Sequence, residues 1–345
     1  MLSVPILAAF FAGALLVPLL AYLIVRFQFS ASPPKFPVPT SSSSSGVVVT
    51  GASRGIGKAC AFHLASLGYT VFAGVRKDSD GKALLKESKS SKGEIVPLKL
   101  DVTSESSISA AVASVAARAP GVVLVALVNN AGVNVGPYPV EYLPADALRR
   151  QLEINVNGQV AVTKGFLPLL RSSGAGSRVI FMSSVAGSIS SAFGGAYASS
   201  KFAVEAIADA LRRELLPWKM SVSVVKPSEL ASDLLDKYHE DGKRVLDDLP
   251  ADGRRRYGVW YENMKPTRAK YVGKVAQASE AVAHAIGSSR PKTRYVVGSK
   301  AMVKSHLYPM SFLGITMPVW SLLPDSFLDK QMKRSVWPKR YAIGK

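Results

Sequence analysis

Residues 46–57 read GVVVTGASRGIG, a short apolar run that stops at a glycine-rich turn and passes straight into residues suited to a helix. Gly51 permits the tight turn, Gly55 lets the backbone approach a pyrophosphate, and Gly57 lets a helix pack closely on a strand. The helix beginning there offers free N–H groups and the positive end of its dipole to the same phosphates, with Ser53, Arg54 and Ile56 lining the turn. A glycine-rich turn is common on its own. Its place between a first strand and a helix is what makes it a candidate dinucleotide site.

Working outward, the runs at 69–75, 94–100, 122–128, 178–182, 222–226 and 293–298 are apolar nearly throughout, without the alternation of a half-exposed strand. Such runs predict strands buried on both faces, and the stretches between them predict helices over 56–67, after Thr103 as N-cap, and over 197–216 up to Pro217. The fold class is therefore α/β: a Rossmann-like doubly wound parallel sheet of about seven strands with helices on both faces. The catalytic domain is expected over 46–298. Within it, 228–275 opens with polar, charged sequence and is the expected substrate segment, and 299–345 forms a basic and apolar extension.

The first residues differ in kind. Residues 2–25 contain one polar member, Ser3, and Arg26 closes the run, which is long enough to span a bilayer. No basic residue precedes it and no small-x-small cleavage site follows, so a retained anchor over 1–26 is expected rather than a cleaved signal. Arg26 and Lys35 lie just after the span, which places the remainder in the cytosol, with the endoplasmic reticulum as the expected membrane. A Pro/Ser-rich linker follows over 27–45. The later stretch 308–324 is apolar but broken by prolines and a glycine, so it is expected to lie on the membrane or cover the core, not to cross.

Across the chain, 43 Lys and Arg against 24 Asp and Glu give a formal net charge of +19, which favours anionic partners such as lipid headgroups or a phosphorylated cofactor. No nucleic-acid-reading motif accompanies that charge, so no nucleic-acid partner is expected. Cys60 is the single cysteine, which excludes an intramolecular disulfide and a cysteine-based zinc cluster, and no His/Cys/Asp spacing suggests any metal.

Four further features carry chemistry: Asn129-Asn130-Ala131-Gly132, Asn155, Ser184, and Tyr197 with Lys201. Each has an ordinary reading as a turn, a strand end or a helix-surface pair. Tyr197 and Lys201, however, stand at i, i+4 on one helix face, where an ammonium beside a phenol favours the phenolate and lowers a pKa that is about 10 when free. Together with the G-x3-G-x-G spacing of the first turn, these features in this order over about residues 46–230 resemble the short-chain dehydrogenase/reductase family. That resemblance implies that Tyr197 exchanges a proton with the substrate oxygen, that Lys201 also bonds the nicotinamide ribose, that Ser184 orients the carbonyl, and that Asn155 holds a water in the proton relay. Ser184 rather than Ser183 matches the family's thirteen-residue spacing to the tyrosine. The resemblance also places Asp101-Val102 against the adenine, Asn130 on the nicotinamide side of the cleft, and Pro227 at the cofactor. It departs at Ser228, where the family has glycine, and at Ser232, where it has threonine.

Cofactor choice is read at the end of the second strand, where a carboxylate would bond the ribose hydroxyl of NAD. Gly74-Val75-Arg76-Lys77 holds none, and Arg76 with Arg54 suits a 2′-phosphate, so NADP(H) is favoured over NAD(H). The YVVGSKA stretch at 295–301 resembles membrane-anchored retinol and 17β-hydroxysteroid dehydrogenase-type members. A hydrophobic alcohol, with its ketone or aldehyde, is accordingly the expected substrate. A 3-ketosphinganine-type or acyl-dihydroxyacetone-phosphate-type reductase, or a non-catalytic lipid-binding scaffold, are the alternatives. Membrane lipids, through the N-terminal helix and the basic C-terminal region, and a second copy of the chain are the expected partners.

Overall fold

In the triplet Val47-Val48-Val49 the side chains alternate between two hydrophobic cores, one on each face of a sheet, which is why this run is apolar without a break. The computed structural model describes residues 35–39, 44–88, 92–119, 121–174, 176–231, 233–264 and 272–299, with the backbone of 309–312 and 315–318. Seven strands, β1 (Ser45–Val49), β2 (Thr70–Val75), β3 (Glu94–Lys99), β4 (Val123–Asn129), β5 (Arg178–Met182), β6 (Ser221–Pro227) and β7 (Arg294–Val297), form one parallel sheet in the order β3-β2-β1-β4-β5-β6-β7. The order reverses between β1 and β4, and the crevice above that reversal is where ligands bind in open parallel sheets.

On one face pack α1 (Gly55–Ser66), α2 (Asp78–Glu87) and α9 (Val275–Gly287), through Cys60, Leu64, Leu84, Val282 and Ile286. On the other pack α3 (Glu105–Ala116), α5 (Gly158–Ser172) and α6 (Gly195–Glu214), through Ile108, Val162, Phe166 and Val204. Burial pushes the Cys60 thiol up to about 12, which leaves it a packed hydrophobe. Between β4 and α5 lies α4 (Ala145–Leu152), followed by a single π turn (Glu153–Asn157).

Two helix ends expected from the sequence are corrected here. The N-cap of α3 is Ser104, whose hydroxyl accepts from Ser107 N–H, because the Thr103 hydroxyl donates instead to Asp101 at 2.7 Å. The long helix runs Gly195–Glu214, and Pro217 sits in a separate 3-10 turn, Leu216–Trp218. The substrate segment is largely helical, with α7 (Asp233–Asp248) and α8 (Ala251–Glu262); Val245 and Tyr261 of these helices and Leu249 between them are buried in a third core with Tyr138 and Phe193. The apolar run at 2–25 lies outside the described residues, among which no helix is long and apolar enough to cross a membrane. In the C-terminal extension, β8 (Pro309–Phe312) and β9 (Ile315–Pro318) pair antiparallel.

Part of the stretch read as a linker is built into the domain. Arg178, 1% exposed at the start of β5, donates to the carbonyls of Gly176, Pro37 (2.8 Å) and Ser288 (3.0 Å). Phe36 N–H donates to Ser289 O at 2.9 Å, and the Phe36 ring centroid lies 5.6 Å from the guanidinium. Three carbonyls replace the water that burial removes, although burial still pulls the Arg178 pKa down to about 10. Residues 36–37 are thereby tied to the amino edge of the sheet. Arg178→Met leaves those carbonyls without a donor and is expected to cost about 3 kcal/mol of unfolding free energy in urea titration; a loss below about 1 kcal/mol would mean that water takes the guanidinium's place.

Candidate active site

The glycine turn holds its shape because its neighbours leave no choice. Gly51 and Gly55 have φ of +64° and +56°, and a Cβ on Gly57 would collide with the Gly51 carbonyl oxygen and the Asn130 amide. Thr50 Oγ1 accepts the N–H groups of Asn130 and Ala131, both at 2.9 Å, and so ties the end of β1 to the end of β4. Asn130 Nδ2 donates to the carbonyls of Thr50 (2.9 Å) and Gly51 (3.2 Å). The Asn130 amide thus braces the glycine turn. Arg54 is the N-cap of α1 without a side-chain cap, and the first turn has no acidic residue, so the helix presents uncapped N–H groups as a phosphate requires. Ser53 and Ile56 are half-buried in the same turn.

At the other end of this crevice Arg76 is exposed just past β2. The first carboxylate after it, Asp78, is paired with Lys99 at 2.8 Å. Asp101 Oδ1 accepts from Thr103 N (3.0 Å) and Oγ1 (2.7 Å); the Thr103 N–H foremost, with Arg76 adding a smaller effect, holds the carboxyl below its ordinary range. Val102 is 7% exposed and packs on Gly158, where a Cβ would stand 2.8 Å from Val102 Cγ2. Arg76 and Thr103 line a cleft of about 650 Å³ with Arg149, Arg150, Glu153 and Asn157. Sequence reading missed Arg149 and Arg150, since nothing local marks the end of α4 as adjacent to the end of β2.

Between these ends stand the expected proton-transfer groups. Helix α6 places Tyr197 and Lys201 on one face, with Lys201 Nζ 5.5 Å from the tyrosine ring centroid and donating to Met182 O at 2.8 Å. The Ser184 hydroxyl is near enough to the Tyr197 phenol to pull its pKa down. Ser184 Oγ also lies 3.3 Å from Pro227 O, to which it donates, and accepts from Ala186 N–H at 3.1 Å. Burial pushes the Tyr197 phenol up to about 12, against the pull of Ser184. Burial likewise pushes the Lys201 ammonium down to about 8, against the pull of the Glu205 carboxylate. Ser184, Tyr197 and Lys201 therefore converge.

Asn155 is fully buried in the π turn behind them, its Oδ1 accepting from Val133 N (2.8 Å) and its Nδ2 donating to Val133 O (2.9 Å) and Ser200 Oγ (3.1 Å). Its side chain is a brace between the β4 loop and α6. Gln151, which sequence reading missed, makes a second brace, donating to Val133 O at 2.7 Å and accepting from Val135 N at 3.1 Å. Pro227 is buried at the end of β6, and Ser228 N–H donates to Val297 O at 2.8 Å. Ser232 lies outside the described residues. Near Tyr197, Phe193 stacks on Trp260 at 3.8 Å between centroids, so α8 caps this side with aromatic surface.

A family model described as short chain dehydrogenase matches residues 45–243. Estradiol 17-beta-dehydrogenase 2 of Mus musculus is 31% identical over 301 residues, covering 85% of this chain and 75% of that protein. NADPH-dependent 3-dehydrocapnine reductase of Ornithobacterium rhinotracheale is 34% identical over 292 residues, covering 82% and 94%. Among solved structures, a short-chain dehydrogenase from Streptomyces avermitilis superposes with a TM-score of 0.59 at 26% identity, covering 85% of this chain and 97% of that one.

The tightness at Gly57 is open to a direct check. Gly57→Ala is expected to displace the turn and weaken binding of an adenine dinucleotide at least tenfold in a fluorescence titration, which corresponds to about 1.4 kcal/mol. Gly287→Ala, where a Cβ meets nothing within 4 Å, serves as the neutral control. Equal affinity in the two variants would remove the turn from the binding site.

Proposed function

The chain belongs to the short-chain dehydrogenase family and is an oxidoreductase of that family, and from this premise we propose that it interconverts a hydrophobic alcohol and its ketone or aldehyde with NADP(H) in preference to NAD(H). The observation that carries the reading is the meeting of Ser184, Tyr197 and Lys201: a serine hydroxyl that acts on the phenol, and an ammonium 5.5 Å from the phenol ring. The uncapped start of α1 and the glycine turn fit the pyrophosphate of a nicotinamide dinucleotide, which supplies the hydride when bound.

The protein's own part is to place the substrate oxygen and move a proton. Ser184 and Tyr197 present two hydroxyls to that oxygen, and Tyr197 donates its proton in reduction or accepts one in oxidation. Lys201 beside the ring stabilises the phenolate that reduction leaves. Asn155 orients the π turn against Ser200 and the helix carrying both groups.

NADP(H) preference is supported by Arg76 beyond β2, by the engagement of Asp78 with Lys99, and by Arg149 and Arg150 across the same cleft. A relative named for NADPH agrees with it. A hydrophobic substrate is supported by the aromatic cap of Phe193 and Trp260 and by the steroid named in another relative's title. Residues 2–25 are proposed as the membrane anchor that brings the domain to such a substrate, with lipid contact extended by the basic C-terminal region.

The test is turnover by the full chain in detergent, following nicotinamide absorbance with NADPH and NADH against steroid ketones, retinal and ketosphinganine. Tyr197→Phe is expected to reduce kcat by about 10²–10⁴ with KM little changed. Arg76→Asp is expected to exchange the preference, raising KM for NADPH at least tenfold while lowering that for NADH. Equal use of both cofactors by the wild-type chain would sink the 2′-phosphate reading.

A further inference from the structure

The face of α6 that carries Tyr197 and Lys201 continues to Glu205 and Asp209, one and two turns further on. Glu205 is 8% exposed and Lys226, beside Pro227 in β6, is 5% exposed; Lys226 Nζ stands 3.1 Å from Glu205 Oε1. Glu205 Oε2 accepts from Arg294 Nε of β7 at 2.8 Å, Arg294 also reaches Asp209 at 3.0 Å, and Asp209 lies 3.5 Å from Arg212. Lys226 Nζ also donates to Ser188 Oγ, just past the 3-10 turn (Val185–Gly187) that Ser184 caps. That turn lies flat on α6, since a Cβ on Gly187 would be 3.0 Å from the Lys201 carbonyl oxygen and 3.1 Å from Glu205 Cγ. The helix with Tyr197 and Lys201, the turn with Ser184, and the strand with Pro227 all meet at this pair.

We propose that Glu205 and Lys226 are positioning residues: a buried charge pair that keeps Lys201 protonated and holds the Ser184 turn against α6. The inference deepens the reading of Tyr197 and Lys201 as proton-transfer groups and rests on it. Stability alone is a poor reason for such a pair, because well-packed apolar side chains of similar volume often serve as well. Its electrostatic effect on the site is specific. Lys226 and Arg294 contact the Glu205 carboxylate and Lys201 feels its charge, while Asp209 answers Arg294 and Arg212. Lys201 itself meets the Met182 carbonyl from β5 and the Tyr197 ring on its own helix, and Glu205 is the one carboxylate among the described residues whose charge holds its proton on.

The two partners therefore act on Lys201 with opposite sign. An ammonium required for turnover gives a profile that falls on the alkaline side as its proton is lost. Removing the carboxylate takes away the charge that opposes desolvation of Lys201, and its proton leaves at lower pH. Removing Lys226 frees more of the carboxylate's charge for Lys201, and its proton leaves at higher pH.

The experiment uses the full chain in detergent. Trace acetylation by acetic anhydride, read by mass spectrometry across pH, reports the midpoint at which the Lys201 amine becomes nucleophilic without needing a substrate. The alkaline limb of NADP⁺-dependent oxidation of a steroid secondary alcohol is measured alongside. Glu205→Gln is expected to lower the midpoint by about one pH unit or more, and Lys226→Met to raise it, with the limb following each. A purely structural pair would reduce rate or melting temperature in both variants with the midpoint fixed; that result, or shifts of the same sign, overturns the proposal. Should Glu205→Gln fail to fold, Lys226→Met still decides, since an absent or downward shift overturns it. Tyr197→Phe separates the two layers. If that variant keeps wild-type turnover, the proton-transfer reading itself falls; if it is inactive while both midpoints stay put, only the role of the pair falls.

Discussion

The pairing of β1 with β2 on one side and β4 on the other is the constraint from which the site follows. It makes the chain build outward to β3, return to the middle, and build outward again to β7, leaving a crevice above the reversal. Thr50, Asn130, Ser184 and Pro227 stand at or just beyond the carboxyl ends of β1, β4, β5 and β6, four neighbouring strands. Register is pinned from below by Val47, Val48 and Val49, whose alternate side chains belong to opposite cores, so a slip of one residue would turn both cores inside out. From above, Thr50 Oγ1 fastens β1 to the amides after β4. The glycine turn and the loop after β4 are consequently joined by one hydrogen-bonded network.

Burial drives Tyr197 and Lys201 each toward the neutral form, the phenol up and the ammonium down. Left to desolvation alone, the pair would lose the charge that makes it useful. The counterweights are local: Ser184 on the tyrosine and Glu205 on the lysine. Each comes with its own anchorage, since Ser184 is tied to Pro227 and Glu205 to Lys226 and Arg294. Because Lys226 and Pro227 are adjacent in β6, geometry and electrostatics are transmitted through the same strand.

What was legible in the sequence was what short spacing determines. Tyr197 and Lys201 meet because four residues make about one helical turn, and the glycine turn is recognisable because its backbone angles need glycine at Gly51 and Gly55. What escaped depends on contacts between distant residues. The Asn130 brace reaches back 80 positions to Thr50 and the Arg178 clamp 141 positions to Pro37, and no local pattern announces either. Serine and threonine at 103 and 104 both suit an N-cap, and the choice fell to Ser104 because Asp101 takes the Thr103 hydroxyl. The helices α7 and α8 were hidden by their charge: their few core residues, such as Val245 and Tyr261, find partners in Tyr138 and Phe193, which lie far away in sequence.

Those helices also explain how the substrate side is kept in step with the chemistry. Phe193, four residues before Tyr197, has φ of +64°, a conformation that costs a side-chain-bearing residue of order 1 kcal/mol or more. It persists because its ring is held on several sides, stacked on Trp260 at 3.8 Å and edge-on to Tyr257 and Tyr261 at 5.8 and 5.7 Å. The strained residue is therefore a joint: its ring belongs to the cap formed by α8 and its backbone leads into α6. A side chain that changes the cap must act on the start of the helix that carries Tyr197 and Lys201. Packing of the aromatic cap and alignment of the start of α6 are accordingly a single mechanical property of this fold.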